Sequence, residues 1–367
     1  MRDQDLGAAL WGAHPELEAV RREAPEPVYL VGGAVRDLLL GRSRADVDLV
    51  VEGDAAALAA RLGGGGTAHE RFGTAKVEID GHEVDIATAR SETYPRPGAL
   101  PVVAAARSIE ADLDRRDFTI NAMAIPLGGE PRLIDPRGGR EDLERGLLRV
   151  LHRRSFVDDP TRAIRAARYA SRYGFTLEPE TDRLLRRADL ATVSADRRRA
   201  ELERLAAEPT GAVGLGLLAG WGVIDLRPGG VELMRSVEDL LKAPHWAELV
   251  PREQALIAAA LGPEGTEEVL ASMWAPKPGE GVDLAERRDP VELILARAMG
   301  ASWLDQYLTI WRGIELEIDG GDLIAKGIPQ GPAVGRGLRA ARLAKLEGEA
   351  AGREQELAAA LAAALRD

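Results

Sequence analysis

PVYLVGGAVRDLLLG (27–41), followed closely by DVDLVVEG (46–53), decides the fold. Residues 27–31 form a short β-branched and aromatic run that stops at Gly32-Gly33, and AVRDLLLG carries its apolar residues at helical spacing. The pattern reads as strand, glycine turn, helix. DVDLVVEG predicts a second strand, and residues two apart on a strand face the same way, so Asp46 and Asp48 present their carboxylates side by side.

Working outward, an alanine-rich helix is expected at 54–62, a GGGG turn at 63–66, and strand-like segments AKVEID (75–80) and HEVDIATA (82–89) joined through Gly81. Strands and helices alternate to about residue 135, the pattern of a compact α/β head with a mixed sheet. Beyond residue 140 the texture changes to Leu, Ala, Arg and Glu at helical period, broken at Pro179, Gly220, Pro228-Gly229-Gly230, Gly262-Pro263, Pro276 and Pro278. The predicted class is α+β, a small α/β head followed by a nearly all-α remainder. The last stretch, 348–367, is a strong helix former, either a docking helix or frayed.

With 367 residues the chain has room for two or three domains. The absence of cysteine excludes disulfides and thiolate metal sites. The opening MRDQDLGAAL lacks the apolar core of a signal peptide and no run is long enough to span a bilayer, so the expected compartment is the cytoplasm, with no membrane partner. The five His are scattered without zinc-site spacing and none precedes an Asp, which predicts neither a structural metal nor a His-Asp hydrolase activity.

The net charge of −12 argues against a wholly basic nucleic-acid binder. Residues 151–200, however, hold twelve Arg against seven Asp plus Glu, a local balance of +5 (12 − 7). That suits a confined triphosphate or RNA channel; the alternative is a solvated helical face laced with intrahelical ion pairs.

A carboxylate pair supplies the hard oxygen ligands that Mg²⁺ takes when it also holds phosphates and water. Gly32-Gly33, at a helix N-terminus, offers backbone N–H groups and the helix dipole to a triphosphate, although a tight turn needs no ligand to justify glycine. Together they fit nucleotidyl transfer, in which a metal bridges the α-phosphate and the attacking 3′-hydroxyl. Glu83 and Asp85, two apart on one face, are candidates for a third carboxylate.

In DDPTRAIR (158–165), Asp159 and Arg162 lie three apart and are expected on one side of a helix. A carboxylate accepts from an exocyclic amino group, and a guanidinium donates to ring nitrogens and carbonyls. One such pair reads both cytosine and adenine, whereas guanine and uracil mismatch it at about 1–3 kcal/mol for each group left unpaired. Asp159 before Pro160 is also a good helix cap, which is the competing reading.

VGGAVRDLLLG with DVDLVVEGD resembles the first motif of the class II tRNA nucleotidyltransferases and bacterial poly(A) polymerases, within the DNA polymerase beta-like superfamily. The resemblance continues through ARSETYPRPGALP (89–101), RRDFTINAMA (115–124), LIDPRGGREDL (133–143), FVDDPTRAIRAARYASRYGF (156–175) and VSADRRRAEL (193–202). Two positions depart from the family pattern, Asp158 and Asp196, where Glu is usual; Asp159 and Arg197 match.

The resemblance implies a head at 1–140, a base-reading neck at 141–205, a helical body at 206–300 and a helical tail at 301–367 that rests on tRNA through GGDLIAKGIPQGPAVGRGL (320–338). It implies Mg²⁺ on Asp46 and Asp48, and nucleotide contacts by Gly32, Gly33, Arg36, Arg115, Arg116, Asp117, Asn121, Asp159, Arg162 and Arg165. Arg115, Arg116 and Asp117 would serve the sugar and phosphates, and Asp159 and Arg162 would replace a template strand. The implied reaction adds C, C and A to a tRNA 3′ end from CTP and ATP. Enzymes adding only CC, only A or a poly(A) tail share this chemistry, and a silent RNA-binding relative would share the fold. The loop expected at 89–106 disfavours the CC-only reading, because in the family such a loop serves the switch to ATP.

Overall fold

The computed structural model describes residues 3–42, 46–63, 68–69, 73–262, 265–272 and 277–366. Residues 64–66 of the expected glycine turn, Pro263 and Pro276 lie outside that set. The described chain forms two compact units, Met1–Ile224 and Asp225–Asp367.

The first unit opens with two helices that sequence periodicity did not announce, α1 (Asp3–Ala13) and α2 (Leu17–Glu23). The predicted strand, turn and helix follow as β1 (Val28–Val31) and α3 (Gly33–Leu39), then β2 (Val47–Val51) and α4 (Ala55–Arg61). Asp54 caps α4, its side chain accepting from the Ala56 and Ala57 amides at 2.8 and 3.3 Å. β3 (Ala68–His69), β4 (Thr74–Ile79) and β5 (His82–Thr88) come next, β4 and β5 joined through Asp80 and Gly81 at φ 52° and 76°. Two successive left-handed residues give the hairpin turn whose twist matches its strands.

Residues 89–106 are not a plain loop. They form a two-stranded antiparallel ribbon, β6 (Arg90–Thr93) with β7 (Val102–Ala105), around a proline-rich tip. The three prolines between the strands hide the alternation on either side of them, which is why the segment reads as loop. α5 (Ile109–Asp114), a 3₁₀ turn at Thr119–Asn121 and β8 (Ala124–Pro126) complete the head.

The main sheet has the order β3-β4-β5-β2-β1-β8, with β2 and β5 parallel and the other pairs antiparallel. Val28, Leu30, Val47, Leu49, Val51, Val84 and Ile86 face the large core. The alternate residues Val31 and Val50 face a smaller cluster with Ile109 and Leu113 of α5. By strand alternation Asp46, Asp48 and Asp85 belong to this second face, where the core is thin and side chains reach an open cavity.

After the head come α6 (Gly139–Arg145), β9 (Leu147–Leu148), α7 (Ser155–Asp158), α8 (Thr161–Tyr173), β10 (Thr176–Leu177), α9 (Pro179–Leu185), α10 (Ala195–Ala206) and α11 (Gly211–Gly220). The short parallel pair β9–β10 is a small exception to the expected run of helices. α8 lays Ala163, Ala166, Tyr169 and Ala170 against the large core, so neck and head share one apolar interior.

The second unit is helical throughout its described residues: α12 (Gly230–Leu240), α13 (Pro244–Ala247), α14 (Arg252–Leu261), α15 (Thr266–Ala271), α16 (Pro278–Ala285), α17 (Pro290–Ala298), α18 (Trp303–Thr309), α19 (Gly320–Ala325), α20 (Pro332–Leu346) and α21 (Gly352–Ala364). Ala360 and Ala364 of α21 share a buried cluster with Ala341 of α20 and Leu323 of α19, so the C-terminal helix is docked rather than frayed. No helix of the described residues is long and apolar enough to cross a membrane.

Candidate functional site

A polar cavity of about 880 Å³ opens over the thin face of the head sheet. Every residue named from the sequence as a site candidate lines it, except Glu83. Asp46, Asp48 and Asp85 stand at one end, and the register places Asp48 directly across from Asp85 on the parallel β5. Glu83 faces Lys76 of β4 with its side chain 68% accessible, so of the two candidates Asp85 is the one set opposite Asp48.

The Asp48 carboxyl is pushed up from its ordinary pKa: protein crowding removes water, and the charges of Asp85 and Asp46 add repulsion that Arg116 only partly offsets. Lys76 reaches Asp85 at 3.6 Å, and among the described residues neither Asp46 nor Asp48 takes a hydrogen bond or ion pair. Nor do three acidic or histidine side chains of the described residues close into a ready metal cage. Two repelling carboxylates facing an open cavity fit a hard divalent cation that completes its shell with phosphate and water.

Gly32 (φ 66°) joins β1 to α3. Its N–H donates to Met123 O at 3.2 Å, so that amide is used by the fold and not left free for phosphate. Glycine is required there for a different reason: a Cβ would stand 2.4 Å from Arg116 Nη1. Gly33 opens α3, which no side chain caps. Arg36 is buried in the cavity wall, donating from Nη1 to Asn121 Oδ1 at 2.7 Å and from Nε to Asp37 Oδ1 at 2.9 Å.

Arg115 and Arg116 share one acid that sequence reasoning missed. Asp112, wholly buried, accepts from Arg115 Nε at 2.9 Å and from Arg116 Nη2 at 3.0 Å. Burial raises its carboxyl pKa, but the two guanidinium charges outweigh burial and the net shift is downward. Arg115 also donates to Glu92 of the ribbon at 3.0 Å. Asp117 is 7% exposed and accepts from the Phe118 amide (2.8 Å), Asn121 Nδ2 (2.9 Å) and Arg165 Nε (2.7 Å). Burial pushes that carboxyl up, yet Arg165 and these hydrogen bonds hold it well below the usual carboxylate range.

Asp159 is extended (φ −135°, ψ 92°) between α7 and α8 and not on a helix, contrary to expectation. It both caps α8 and lines the cavity: Oδ1 accepts from the Thr161 amide (3.1 Å), the Thr161 hydroxyl (2.6 Å) and Arg197 Nη2 (3.2 Å), while Oδ2 has no hydrogen bond among the described residues. Arg162, 4% exposed, donates to Ser155 Oγ at 2.6 Å and to Arg115 O at 2.8 Å. Each of those nitrogens keeps a second hydrogen for the cavity. Tyr94 of the ribbon lies beside this pair; burial and the Glu92 and Asp159 charges push its hydroxyl up to about 12.

The ribbon tip closes against the neck. Gly98 N–H donates to Asp158 O at 3.2 Å, and its carbonyl accepts from Arg197 at 2.9 Å. The arginine-rich segment divides between the two readings offered for it. Arg162, Arg165, Arg168 and Arg172 line the cavity at helical spacing, whereas Arg153, Arg154, Arg183, Arg186 and Arg199 form surface ion pairs.

Residues 28–149 match the model of the Poly A polymerase head domain. The CC-adding tRNA nucleotidyltransferase of Deinococcus radiodurans is 37% identical over 87% of this chain and 84% of its own length. The chain belongs to the class II tRNA nucleotidyltransferases. The A-adding tRNA nucleotidyltransferase of Geobacter sulfurreducens is 33% identical over 93% of this chain, which spans only 46%, about half, of that relative's length. The solved structure of a CCA-adding enzyme in an apo form superimposes with a TM-score of 0.82 at 31% identity, over 98% of this chain and 99% of that one.

Within this tRNA nucleotidyltransferase framework, sequence reasoning missed the acids that hold the cavity's cations, namely Asp37, Glu92 and Asp112, together with the wall residues Arg168 and Tyr169. The signal that exposes Asp112 is its spacing: residues three and four before Arg115 and Arg116 on a helical turn.

Proposed function

We propose that this chain adds C, C and A to the 3′ end of tRNA from CTP and ATP without a nucleic-acid template, releasing pyrophosphate. Asp46 and Asp48 hold Mg²⁺, with Asp85 beside them. When bound, the cation neutralises charge at the α-phosphate and acidifies the attacking 3′-hydroxyl. Asp117, kept ionised by Arg165, accepts from the ribose hydroxyl. Asp159 accepts from the exocyclic amine of C or A, and Arg162 donates to the ring acceptor beside it. Arg115, Arg116 and Arg165 bring positive charge to the triphosphate.

The observation that carries this reading is that the Asp159–Arg162 pair and the carboxylate pair face one cavity, each member of the former locked by bonds on its far side. The ribbon at 90–105 supports use of ATP as well as CTP. The tail at 301–367 is the segment proposed to rest on tRNA.

Addition of A alone or of CC alone is the second reading, favoured by relatives of both names that align over most of the chain. The test offers tRNA lacking CCA, lacking CA and lacking only A, with each NTP separately and with CTP and ATP together. Completion of all three and no further growth supports CCA addition. Failure on the first substrate leaves an A-adding enzyme, a stop after CC leaves a CC-adding one, and long A tails refute both. Unchanged incorporation by Asp46→Ala would overturn the metal assignment.

A further inference from the structure

Arg36 stands in the cavity wall with each side-chain nitrogen donating one hydrogen bond within the protein. Nε and Nη2 donate to the two oxygens of Asp37 at 2.9 and 3.1 Å, and Nη1 donates to Asn121 Oδ1 at 2.7 Å. Its guanidinium carbon lies 5.3 Å from the Tyr169 ring centroid and 4.7 Å from that of Tyr173, whose hydroxyl donates to Asp37 Oδ1 at 3.0 Å. From Asn121 the bonds run on. Asn121 Nδ2 donates to Asp117 Oδ1 at 2.9 Å, Arg165 Nε donates to Asp117 Oδ2 at 2.7 Å, and Arg165 Nη2 donates to the Tyr169 hydroxyl at 2.9 Å. Since the Tyr169 ring lies against Arg36, the circuit closes through α3, the turn at Thr119–Asn121 and α8.

The circuit has a direction. A guanidinium only donates, so Asn121 is obliged to turn its carbonyl to Arg36 and its NH₂ to Asp117. Without that donor only the Asp117 carboxylate orients the amide, so Asn121 loses its anchor on the far side and Asp117 loses a fixed partner. A nucleotide phosphate cannot take the Nε–Nη2 edge of Arg36, because Asp37 already occupies it.

We propose that Arg36 is a positioning residue for sugar recognition: through Asn121 it fixes the Asp117 carboxylate that meets the incoming ribose, and it does not itself hold the triphosphate. This rests on the reading of Asp117 as the sugar acceptor.

Arg36→Lys keeps a cation but has no planar fork to serve Asp37 and Asn121 together. Tyr173→Phe removes only the hydroxyl that steadies Asp37. Both variants of the full chain would be checked by thermal melting, then titrated with CTP and with 2′-deoxy-CTP by calorimetry, and kcat and KM measured for each nucleotide on tRNA. Preference for the ribonucleotide should fall about tenfold in Arg36→Lys, the weight of one buried charge-assisted hydrogen bond, and in the same direction but less in Tyr173→Phe. Equal weakening of both nucleotides would mean a direct phosphate contact and overturn the proposal, as would an unchanged preference. If Arg36→Lys does not fold, the preference of Tyr173→Phe decides alone. A wild-type chain that binds CTP ahead of its deoxy analogue yet transfers nothing would overturn the proposed activity and leave the positioning role standing.

Discussion

Asp117 is ionised in a place where burial alone would have neutralised it, because Arg165, Asn121 and the Phe118 amide outweigh the lost water. Its folded pKa lies below the unfolded value, so its stabilisation is present above the ordinary aspartate range and is lost as pH falls through about 4 and below. Asp117→Asn should therefore cost about 3 kcal/mol at pH 7, with Arg165 left without its partner, and the gap to wild type should narrow toward pH 3 in urea melts. Asp48 has the opposite bias, crowded and repelled by Asp85 and Asp46. A cation that relieves this repulsion binds only the folded chain, so Mg²⁺ at about ten times its dissociation constant should add about 1.4 kcal/mol of stability. Asp48→Asn should remove that gain along with transfer. A variant still stabilised by Mg²⁺ to the wild-type extent would place the ion elsewhere.

The strand, glycine turn and helix around Gly32 were legible because two periods, 2 and 3.6, meet at a glycine, the residue that takes the positive φ of 66° without strain. The carboxylate pair and the Asp159–Arg162 pair were legible as residue types, but their surroundings were not. Glu83 and Asp85 share a strand face, and only the pairing of β5 with β2 shows which meets Asp48. Glu92 binds Arg115 from 23 residues away, a contact with no local signature. α1 was missed because Gly7, Gly12 and its acids dilute the helical signal of Leu6 and Leu10, whose burial is a tertiary outcome. The β6–β7 ribbon meets the neck at Gly98, where φ is 68° and a Cβ would fall 2.6 Å from Thr192 O. Gly98→Ala should lift the tip at a strain of about 1–3 kcal/mol. If the ribbon serves the use of ATP, A addition to tRNA ending in CC should then drop about tenfold while C addition changes little. Equal losses for both nucleotides would separate the ribbon from nucleotide choice.

The described residues make two units, and each closes a core of its own: Leu6 to Val223 contribute to the large cluster of the first, and Ile318 to Ala364 to a cluster in the second. The whole cavity lies in the first. Residues 1–224 alone should thus melt cooperatively and bind CTP as tightly as the full chain. Affinity for tRNA should fall more than about tenfold, and the salt slope of binding should shrink with the phosphate contacts removed. Undiminished tRNA affinity would move the RNA-binding surface into the first unit. The ribbon also bears on how copies of the chain tolerate one another. β7 exposes Val102 (59%) and Val103 (44%), and among the described residues no strand pairs its outer edge. Such an edge is a template for sheet-to-sheet adhesion, blunted here by its four-residue length, by Pro101 at its start and by mutual repulsion between molecules of net charge −12. Only the last of these yields to salt. Light scattering from concentrated protein should therefore rise between low and molar ionic strength, and Val103→Lys should suppress the rise.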